Sequence, residues 1–200
     1  MPEVMPSKAD IERLHRKYAP NQRVYDLIYG HCQIVAEIAL WCAENVTDTD
    51  IDKQLLETAA LLHDVGSYAF FDDNGKVLNS RLYPQHAILG ARILDDEGID
   101  RRITSIIATH VLLGLTKKEI IDRPWPLPEH NYEPQNIEGE LLCYADRFHS
   151  KTPRFNNFDT FLDGLKQGLP LQGKKFEQWS RQFGVPDIQG MSMKYNQPAR

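Results

Sequence analysis

Helical spacing of apolar residues is the feature that most constrains the fold of this chain. Between Val24 and Asn45 the apolar positions recur at steps of three and four, which is the period of an amphipathic helix. No stretch alternates apolar and polar residues for long enough to build a sheet. The sequence therefore predicts an all-α helical bundle. Helices are expected over 7–18, 24–45, 50–63, 84–98, 100–110 and 137–149, with weaker ones in the Phe-rich segment after Ser150. Ser7 with Asp10 and Thr116 with Glu119 have the spacing of helix capping boxes, the second at the start of one further short helix.

Chain length predicts one main domain with small additions. The 200 residues are enough to bury a sizeable core. We expect an N-terminal helical extension over 1–22, a central domain over 23–150, and a helical appendage over 151–200 that ends in a loose tail. The formal net charge is −5, so no global basic field attracts a nucleic-acid polymer, although local basic groups can still hold a phosphate.

Cysteine usage and the N-terminal residues predict a cytoplasmic protein. Cys32, Cys42 and Cys143 form no C-x-x-C pair, and all three are typical of small core residues in a reducing compartment. The first residues do not follow the pattern of a signal peptide. No stretch approaches the roughly 20 apolar residues of a membrane span, so no membrane association is expected.

The adjacent pair His63-Asp64 follows the apolar run 59–62 and needs a physical reason. Burying a carboxylate without a partner costs several kcal/mol, which is comparable to the whole stability of many domains. A bound cation would remove that cost. In the alternative interpretation, Asp64 caps the following turn and His63 bonds a backbone carbonyl.

Further polar residues lie on the apolar faces of separate predicted helices. They are His31, His110 and Asp146, and His86, two residues after Pro84, lies near another helix start. One histidine on an apolar face is usually an ordinary core residue. Several such groups on separate helices can satisfy one another only by converging. Imidazole and carboxylate are the natural ligands of Zn, Mn and Fe ions, so the pattern predicts a metal site.

The residues follow one another along the chain as His31, His63-Asp64, His86, His110 and Asp146. This order resembles the HD-domain superfamily of metal-dependent phosphohydrolases, including its two-metal members. The similar stretches are Ala-Leu-Leu-His-Asp-Val-Gly at 60–66, His-Ala-Ile-Leu-Gly-Ala at 86–91 and Tyr-Ala-Asp-Arg at 144–147. The resemblance covers residues 24 to 150 and implies the HD helical bundle for that part of the chain.

The resemblance also implies a ligand set of one or two divalent ions, which could be Fe, Mn, Ni, Zn or Mg. The first ion would be bound by His31, His63, Asp64 and Asp146. The second ion would be bound by His86 and His110, with Asp64 shared between both. The catalytic residues implied are Asp64, as bridging ligand and water orienter, and His63.

The implied reaction is hydrolysis of a nucleotide or another small phosphate ester by a metal-activated water. Candidate phosphate contacts are Lys117, Arg147 and Arg81, although long basic side chains such as these are mostly solvated. The same ligands also suit a mixed-valence di-iron oxygenase, and a third alternative is an inert HD module that binds a nucleotide or a partner. The Phe-rich segment after Ser150 is compatible with a lid or a homodimer surface.

Overall fold

The computed structural model describes residues 4–200 and confirms an all-α bundle, with ten α-helices in that range. The first three residues of the predicted N-terminal extension lie outside the described residues. The helices are α1 (Lys8–Tyr18), α2 (Gln22–Glu44), α3 (Lys53–Leu62), α4 (His86–Asp96), α5 (Arg101–Ile107), α6 (Lys117–Asp122), α7 (Ile137–Ala145), α8 (Phe158–Gly168), α9 (Pro170–Phe183) and α10 (Ile188–Tyr195). Short 3-10 helices occupy Val65–Phe70, Tyr83–Gln85 and Asp146–Phe148, and an antiparallel hairpin joins β1 (His149–Ser150) to β2 (Arg154–Phe155).

Polar side chains define where several helices begin. The Ser7 hydroxyl accepts a hydrogen bond from the backbone N–H of Asp10, whose carboxylate accepts one from the Ser7 N–H in return. Thr116 and Glu119 form the same reciprocal pair at the start of α6, as the sequence predicts. These bonds satisfy N–H groups that have no partner within the helix.

The core is built around α2, which packs against α3 and α7. Most apolar residues of the predicted α2 stripe are almost fully excluded from solvent, among them Ile28, Val35 and Ile38. His31 lies on the same stripe and is 1% exposed. Packing of the apolar stripe therefore carries a polar side chain into the interior, where it requires polar partners.

A close approach of two glycines joins the His63-Asp64 segment to α4. A Cβ atom on Gly66 would lie 2.1 Å from the carbonyl oxygen of His86 and 2.4 Å from the backbone nitrogen of Gly90. Only a residue without a side chain fits there. Gly66 thereby allows the 3-10 helix 65–70 to pack directly on α4, which brings Asp64 beside His86.

Two expectations for the second half of the chain are corrected. The helix expected over 137–149 ends at Ala145, and the chain continues through a 3-10 turn into strand β1, so His149 is not helical. The last dozen residues are not a loose tail. They include most of α10, and the residues after it bond to β2 through Phe155, whose backbone N–H donates to the carbonyl of Pro198 over 2.8 Å.

The Phe-rich segment contributes to the core. Phe155, Phe176 and Phe183 are fully buried, and the last two contact the ring of Tyr144 on α7. These rings are therefore not an exposed surface for a second subunit, and the homodimer stays a prediction. Among residues 4–200, no helix combines the length and the apolar character that crossing a bilayer requires.

Candidate metal centre

The six metal ligands predicted from the sequence come together in the structure. Each is supplied by a different helix, helix end or turn, and all six side chains are buried. The positions are His31 within α2, His63 at the end of α3, Asp64 before the 3-10 helix 65–70, His86 at the start of α4, His110 after α5, and Asp146 directly after α7.

The two carboxylate oxygens of Asp64 face different histidines. Its Oδ2 lies 3.4 Å from Nε2 of His31 and 3.5 Å from Nε2 of His63. Its Oδ1 lies 3.3 Å from Nε2 of His86 and 3.7 Å from Nε2 of His110. Asp64 therefore stands between two histidine pairs.

Asp146 lies beside the pair formed by His31 and His63. Its Oδ1 lies 3.0 Å from Nε2 of His31 and 3.6 Å from Nε2 of His63. Two groups have ligand atoms close enough to share one ion: His31, His63 and Asp64, and then Asp64, His86 and His110.

Backbone carbonyls fix which nitrogen of three histidines carries the hydrogen. In each of the three rings Nδ1 lies within hydrogen-bond distance of a carbonyl oxygen three residues earlier in the chain. The Nδ1–oxygen pairs are His63 with Ala60 at 2.7 Å, His86 with Tyr83 at 2.6 Å and His110 with Ile107 at 2.6 Å. A carbonyl only accepts, so Nδ1 must donate and, in the neutral ring, Nε2 is left with its lone pair.

The resulting lone pairs make the donor set suitable for a cation. Nε2 of His86 and Nε2 of His110 lie 2.9 Å apart, and both also face Asp64. Two lone pairs and a carboxylate oxygen repel one another unless a positive charge lies among them. Histidines that donate Nδ1–H to a carbonyl and present Nε2 inward are the usual arrangement around a protein-bound metal. The residues present therefore fit a divalent metal ion.

Burial and charge set the protonation of the cluster. Burial lowers the pKa of His31 and of His86 well below the usual value and lowers the pKa of His110 to about 4, so these rings are neutral at neutral pH. Burial alone would raise the pKa of Asp64. The Lys151 ammonium, and after it the His63 ring, hold that pKa well below its ordinary value, so the carboxylate stays ionised.

Several groups that contact the cluster were missed from the sequence. Lys151 Nζ lies 2.6 Å from Asp64 Oδ2, and the Ser67 hydroxyl donates to Asp64 Oδ1 over 2.9 Å. The Tyr83 hydroxyl lies 2.9 Å from that of Ser67, and His149 Nδ1 lies 2.8 Å from Nδ1 of His31. The available signal was proximity along the chain, because His149 and Lys151 follow Asp146 within five residues.

The three predicted phosphate contacts lie in different surroundings. The guanidinium of Arg147 forms an ion pair with Asp146, so it is part of the cluster. Lys117 Nζ lies 3.9 Å from the carboxylate of Glu129, and Arg81 is exposed in the loop before α4. Within residues 4–200, neither Lys117 nor Arg81 forms an ion pair with the cluster. A phosphate-binding role for these two residues stays a prediction.

Comparison with known proteins identifies relatives along most of the chain. The family model described as HD domain matches residues 28–151. A tRNA (cytidine(56)-2'-O)-methyltransferase of Thermoplasma volcanium is 31% identical over 147 residues, which are 72% of this chain and 38% of the methyltransferase. An uncharacterised protein of Methanocaldococcus jannaschii is 30% identical over 130 residues, which are 64% of this chain and 69% of that protein. The chain thus spans little more than a third of the methyltransferase.

Among solved structures, the fold resembles the HD domain of the phosphodiesterase PgpH of L. monocytogenes, in a crystal structure with cyclic-di-AMP. The TM-score is 0.56 with 18% sequence identity, and the match covers 94% of this chain and 98% of the other. At this identity the likeness concerns the fold.

Proposed function

The chain belongs to the HD domain family, and on that basis we propose that it is a metal-dependent phosphohydrolase acting on a nucleotide or another small phosphate ester. The observation that carries the proposal is the position of Asp64, whose two carboxylate oxygens each face a different pair of histidine Nε2 atoms. One carboxylate shared between two sets of imidazole nitrogens is the ligand arrangement expected of a two-metal hydrolase.

The ligands divide into two groups in this proposal. His31, His63, Asp64 and Asp146 would hold one divalent ion, and His86 and His110 would hold the second, with Asp64 shared. The donor set of nitrogen and carboxylate oxygen is compatible with Fe, Mn, Ni, Zn or Mg. When bound, such ions supply Lewis acidity and lower the pKa of a coordinated water toward neutrality.

The protein side chains would keep Asp64 ionised and fixed in orientation. The Ser67 hydroxyl donates to Asp64 Oδ1, so the Tyr83 hydroxyl must donate to Ser67 in turn. This chain of two hydrogen bonds leaves the carboxylate little freedom to rotate. Asp64 can then orient the attacking water. The ring of His63 would be held in a fixed orientation by its hydrogen bond to the backbone carbonyl of Ala60.

Lys151 is the side chain best placed to bind a substrate phosphate. Its side chain is 21% exposed, whereas that of Asp64 is fully buried, so Lys151 approaches the buried cluster from the more exposed side. The ammonium also lies 5.4 Å above the ring of Tyr83. An ammonium in this position can bind a phosphoryl oxygen by a charge-assisted hydrogen bond. The guanidinium of Arg147, which forms an ion pair with Asp146, offers a second cation.

The nucleotide class of substrate is supported by a structural neighbour. The PgpH HD domain is a phosphodiesterase domain solved with cyclic-di-AMP, which is a nucleotide. The methyltransferase relative extends well beyond the matched segment, so methyl transfer and tRNA are not transferred to this chain. A cytoplasmic location and the absence of a nucleic-acid polymer partner stay predictions.

The proposal is tested by metal analysis followed by an activity panel. Protein purified without added metal is analysed for Fe, Mn, Ni, Zn and Mg, and then assayed with cyclic dinucleotides, nucleoside phosphates, simple phosphate esters and a short RNA. We expect one or two metal equivalents per chain and phosphate-ester hydrolysis that a chelator abolishes. The Asp64→Ala variant is the matched control, because it removes the ligand shared by both groups.

Two outcomes would contradict phosphohydrolysis. Two iron equivalents with oxygen consumption and no phosphate release would indicate the oxygenase. A metal-loaded protein that binds nucleotides tightly but turns over none of the panel, with or without oxygen, would indicate an inert binding module.

A further inference from the structure

One ring outside the proposed ligand set connects the cluster to the last residues of the chain. The ring of His149 stacks on that of His31, with centroids 5.1 Å apart and planes inclined by 23°. Nδ1 of His149 lies 2.8 Å from Nδ1 of His31, and Nε2 of His149 lies 2.6 Å from the side-chain oxygen of Gln197. His31 differs in this from the other three histidines of the cluster, whose Nδ1 atoms face backbone carbonyls.

The direction of these two hydrogen bonds follows from the acceptor at their end. The oxygen of Gln197 can only accept, so His149 donates from Nε2. In the neutral His149 ring Nδ1 is then an acceptor, and the facing Nδ1 of His31 must donate to it. The hydrogen of His31 therefore sits on Nδ1, and its lone pair sits on Nε2, the atom that lies 3.0 Å from Asp146 and 3.4 Å from Asp64.

We infer that His149 and Gln197 are positioning residues that hold His31 in the tautomer whose Nε2 is free to bind the metal. This inference rests on the metal centre proposed above. It also extends the functional unit, because Gln197 lies 46 residues beyond the last residue that the HD family model matches, at 151.

The backbone around Gln197 is held in place by its neighbours. The N–H of Gln197 donates to the carbonyl of Ser192 over 3.1 Å. On the other side, Phe155 in β2 donates to the carbonyl of Pro198 over 2.8 Å and accepts from the N–H of Arg200 over 3.0 Å. Strand β2 pairs with β1, which contains His149, so both ends of the Gln197–His149 bond are fixed to the same small hairpin.

Helix α10, which precedes Gln197, is also attached to α2. The hydroxyl of Tyr195 and the ammonium of Lys194 each donate to Glu37 over 2.6 Å. Glu37 lies on the same helix as His31. The C-terminal segment therefore contacts α2 at two points, once through Glu37 and once through His149 and His31, and a displacement of α10 would be transmitted to the metal ligand.

The first measurement is the tautomer of His31. Two-bond proton–nitrogen NMR spectra of imidazole-labelled protein distinguish Nδ1–H from Nε2–H, and we expect Nδ1–H for His31. Gln197→Met keeps the length of the side chain but removes the acceptor, and it should shift His31 toward a mixture of tautomers. Gln197→Glu keeps an acceptor and should preserve the wild-type spectrum. Gln135→Met, at an exposed glutamine, is the matched control and should change nothing.

The second measurement is metal affinity, which is determined by titrating the protein with cobalt(II) and recording the visible absorption of the bound ion. Groups that orient a metal-binding histidine are typically worth about 10–100-fold in affinity. We expect His149→Leu to weaken cobalt binding by about 100-fold and Gln197→Met by about tenfold, because Gln197 acts one hydrogen bond further away. His149→Asn restores an acceptor near the position of Nδ1 and should recover much of the affinity.

The results separate this inference from the proposed function. If wild-type His31 carries its hydrogen on Nε2, or if Gln197→Met and His149→Leu bind cobalt as wild type does, the inference is overturned even when the enzyme is active. If the His31 tautomer shifts in Gln197→Met as expected but the wild-type protein binds no metal, the positioning role of His149 and Gln197 stands and the proposed phosphohydrolase is wrong. The wild-type spectrum requires no variant, so misfolding of a variant cannot leave the question open.

Discussion

Two groups of buried histidines in this molecule show what separates a structural histidine from a candidate ligand. His15 on α1 is fully buried, and both of its nitrogens have partners outside the cluster: Nε2 lies 2.7 Å from the carbonyl of Leu61 and Nδ1 lies 2.7 Å from the hydroxyl of Tyr68. In the candidate metal centre, His86 also donates to a backbone carbonyl, from Nδ1, but its Nε2 faces Nε2 of His110 and a carboxylate oxygen.

Neither burial nor pKa distinguishes His15 from His110 in the cluster. Burial lowers the pKa of His15 to about 4 and that of His110 to about 4 as well. The difference lies in the second nitrogen. Around His15 every donor meets an acceptor, whereas in the metal centre lone pairs face lone pairs and carboxylates, and only a cation can complete the set. A set of hydrogen-bond acceptors that face one another without a donor is therefore a better indicator of a metal site than burial or a shifted pKa.

The largest expected effect comes from removing the residue shared by both halves of the centre. Asp64→Ala should strip bound metal and abolish hydrolysis, with a loss larger than the roughly 100-fold typical of groups that only orient a ligand. Metal analysis and turnover on the best substrate of the panel measure both. Full metal content together with full turnover in this variant would refute the assignment of the centre.

A smaller loss is expected when one half of the centre is altered. His86→Ala removes a ligand of the second group only, because His31, His63 and Asp146 do not depend on it. We expect the variant to lose mainly one metal equivalent and to retain the other. Metal content of wild type and variant, purified side by side, gives the answer. Equal stoichiometry in the two proteins would contradict a second site at His86 and His110.

The fold was predictable because its main signals are local. The apolar stripe of α2, the reciprocal caps at Ser7 and Thr116, and the helix that follows Pro84 are all patterns of a few neighbouring residues. The HD family and the all-α class are confirmed. The strand at His149 was missed because it is two residues long and its pairing is set by contact with β2.

The site was predictable as far as geometry could be inferred from helix faces. Polar residues on the apolar stripes of several helices had to converge, and the structure brings all six together. The partners Gln197 and Lys151 could not be inferred in this way. Gln197 reaches His149 only because the last residues return to β2, and no periodicity in the sequence reports that return.

The buried, neutral state of His15 also predicts that the unfolding free energy depends on pH. The native state keeps His15 neutral down to about pH 4, whereas in the unfolded chain its pKa is near 6.5. The unfolded state therefore binds more protons between these values, and stability falls as the pH falls through this window. Between neutral pH and about pH 4 the wild-type protein should therefore lose roughly 3 kcal/mol of unfolding free energy that His15→Phe does not lose. The difference in unfolding free energy between the two proteins, which favours wild type at neutral pH, should cancel and change sign on acidification. A difference that is independent of pH would contradict the neutral buried state.

At neutral pH, His15→Phe should reduce stability without touching the metal centre. The substitution leaves the Leu61 carbonyl and the Tyr68 hydroxyl without their partners, and about 2 kcal/mol of unfolding free energy is expected to be lost. Urea unfolding measures the loss, and metal analysis should show wild-type content in the folded variant. Loss of metal at unchanged stability would reverse the roles assigned to the two histidine groups.

The smallest effect is expected at His130, which is an exposed histidine in the loop between α6 and α7. Its ring contacts that of Tyr132 with centroids 6.5 Å apart, and it has neither the burial of His15 nor the facing lone pairs of the metal centre. His130→Ala should therefore change the unfolding free energy by less than about 0.5 kcal/mol and leave metal content and turnover unchanged. If this variant lost metal, histidine content alone would account for binding, and the distinction based on the second nitrogen would have no support.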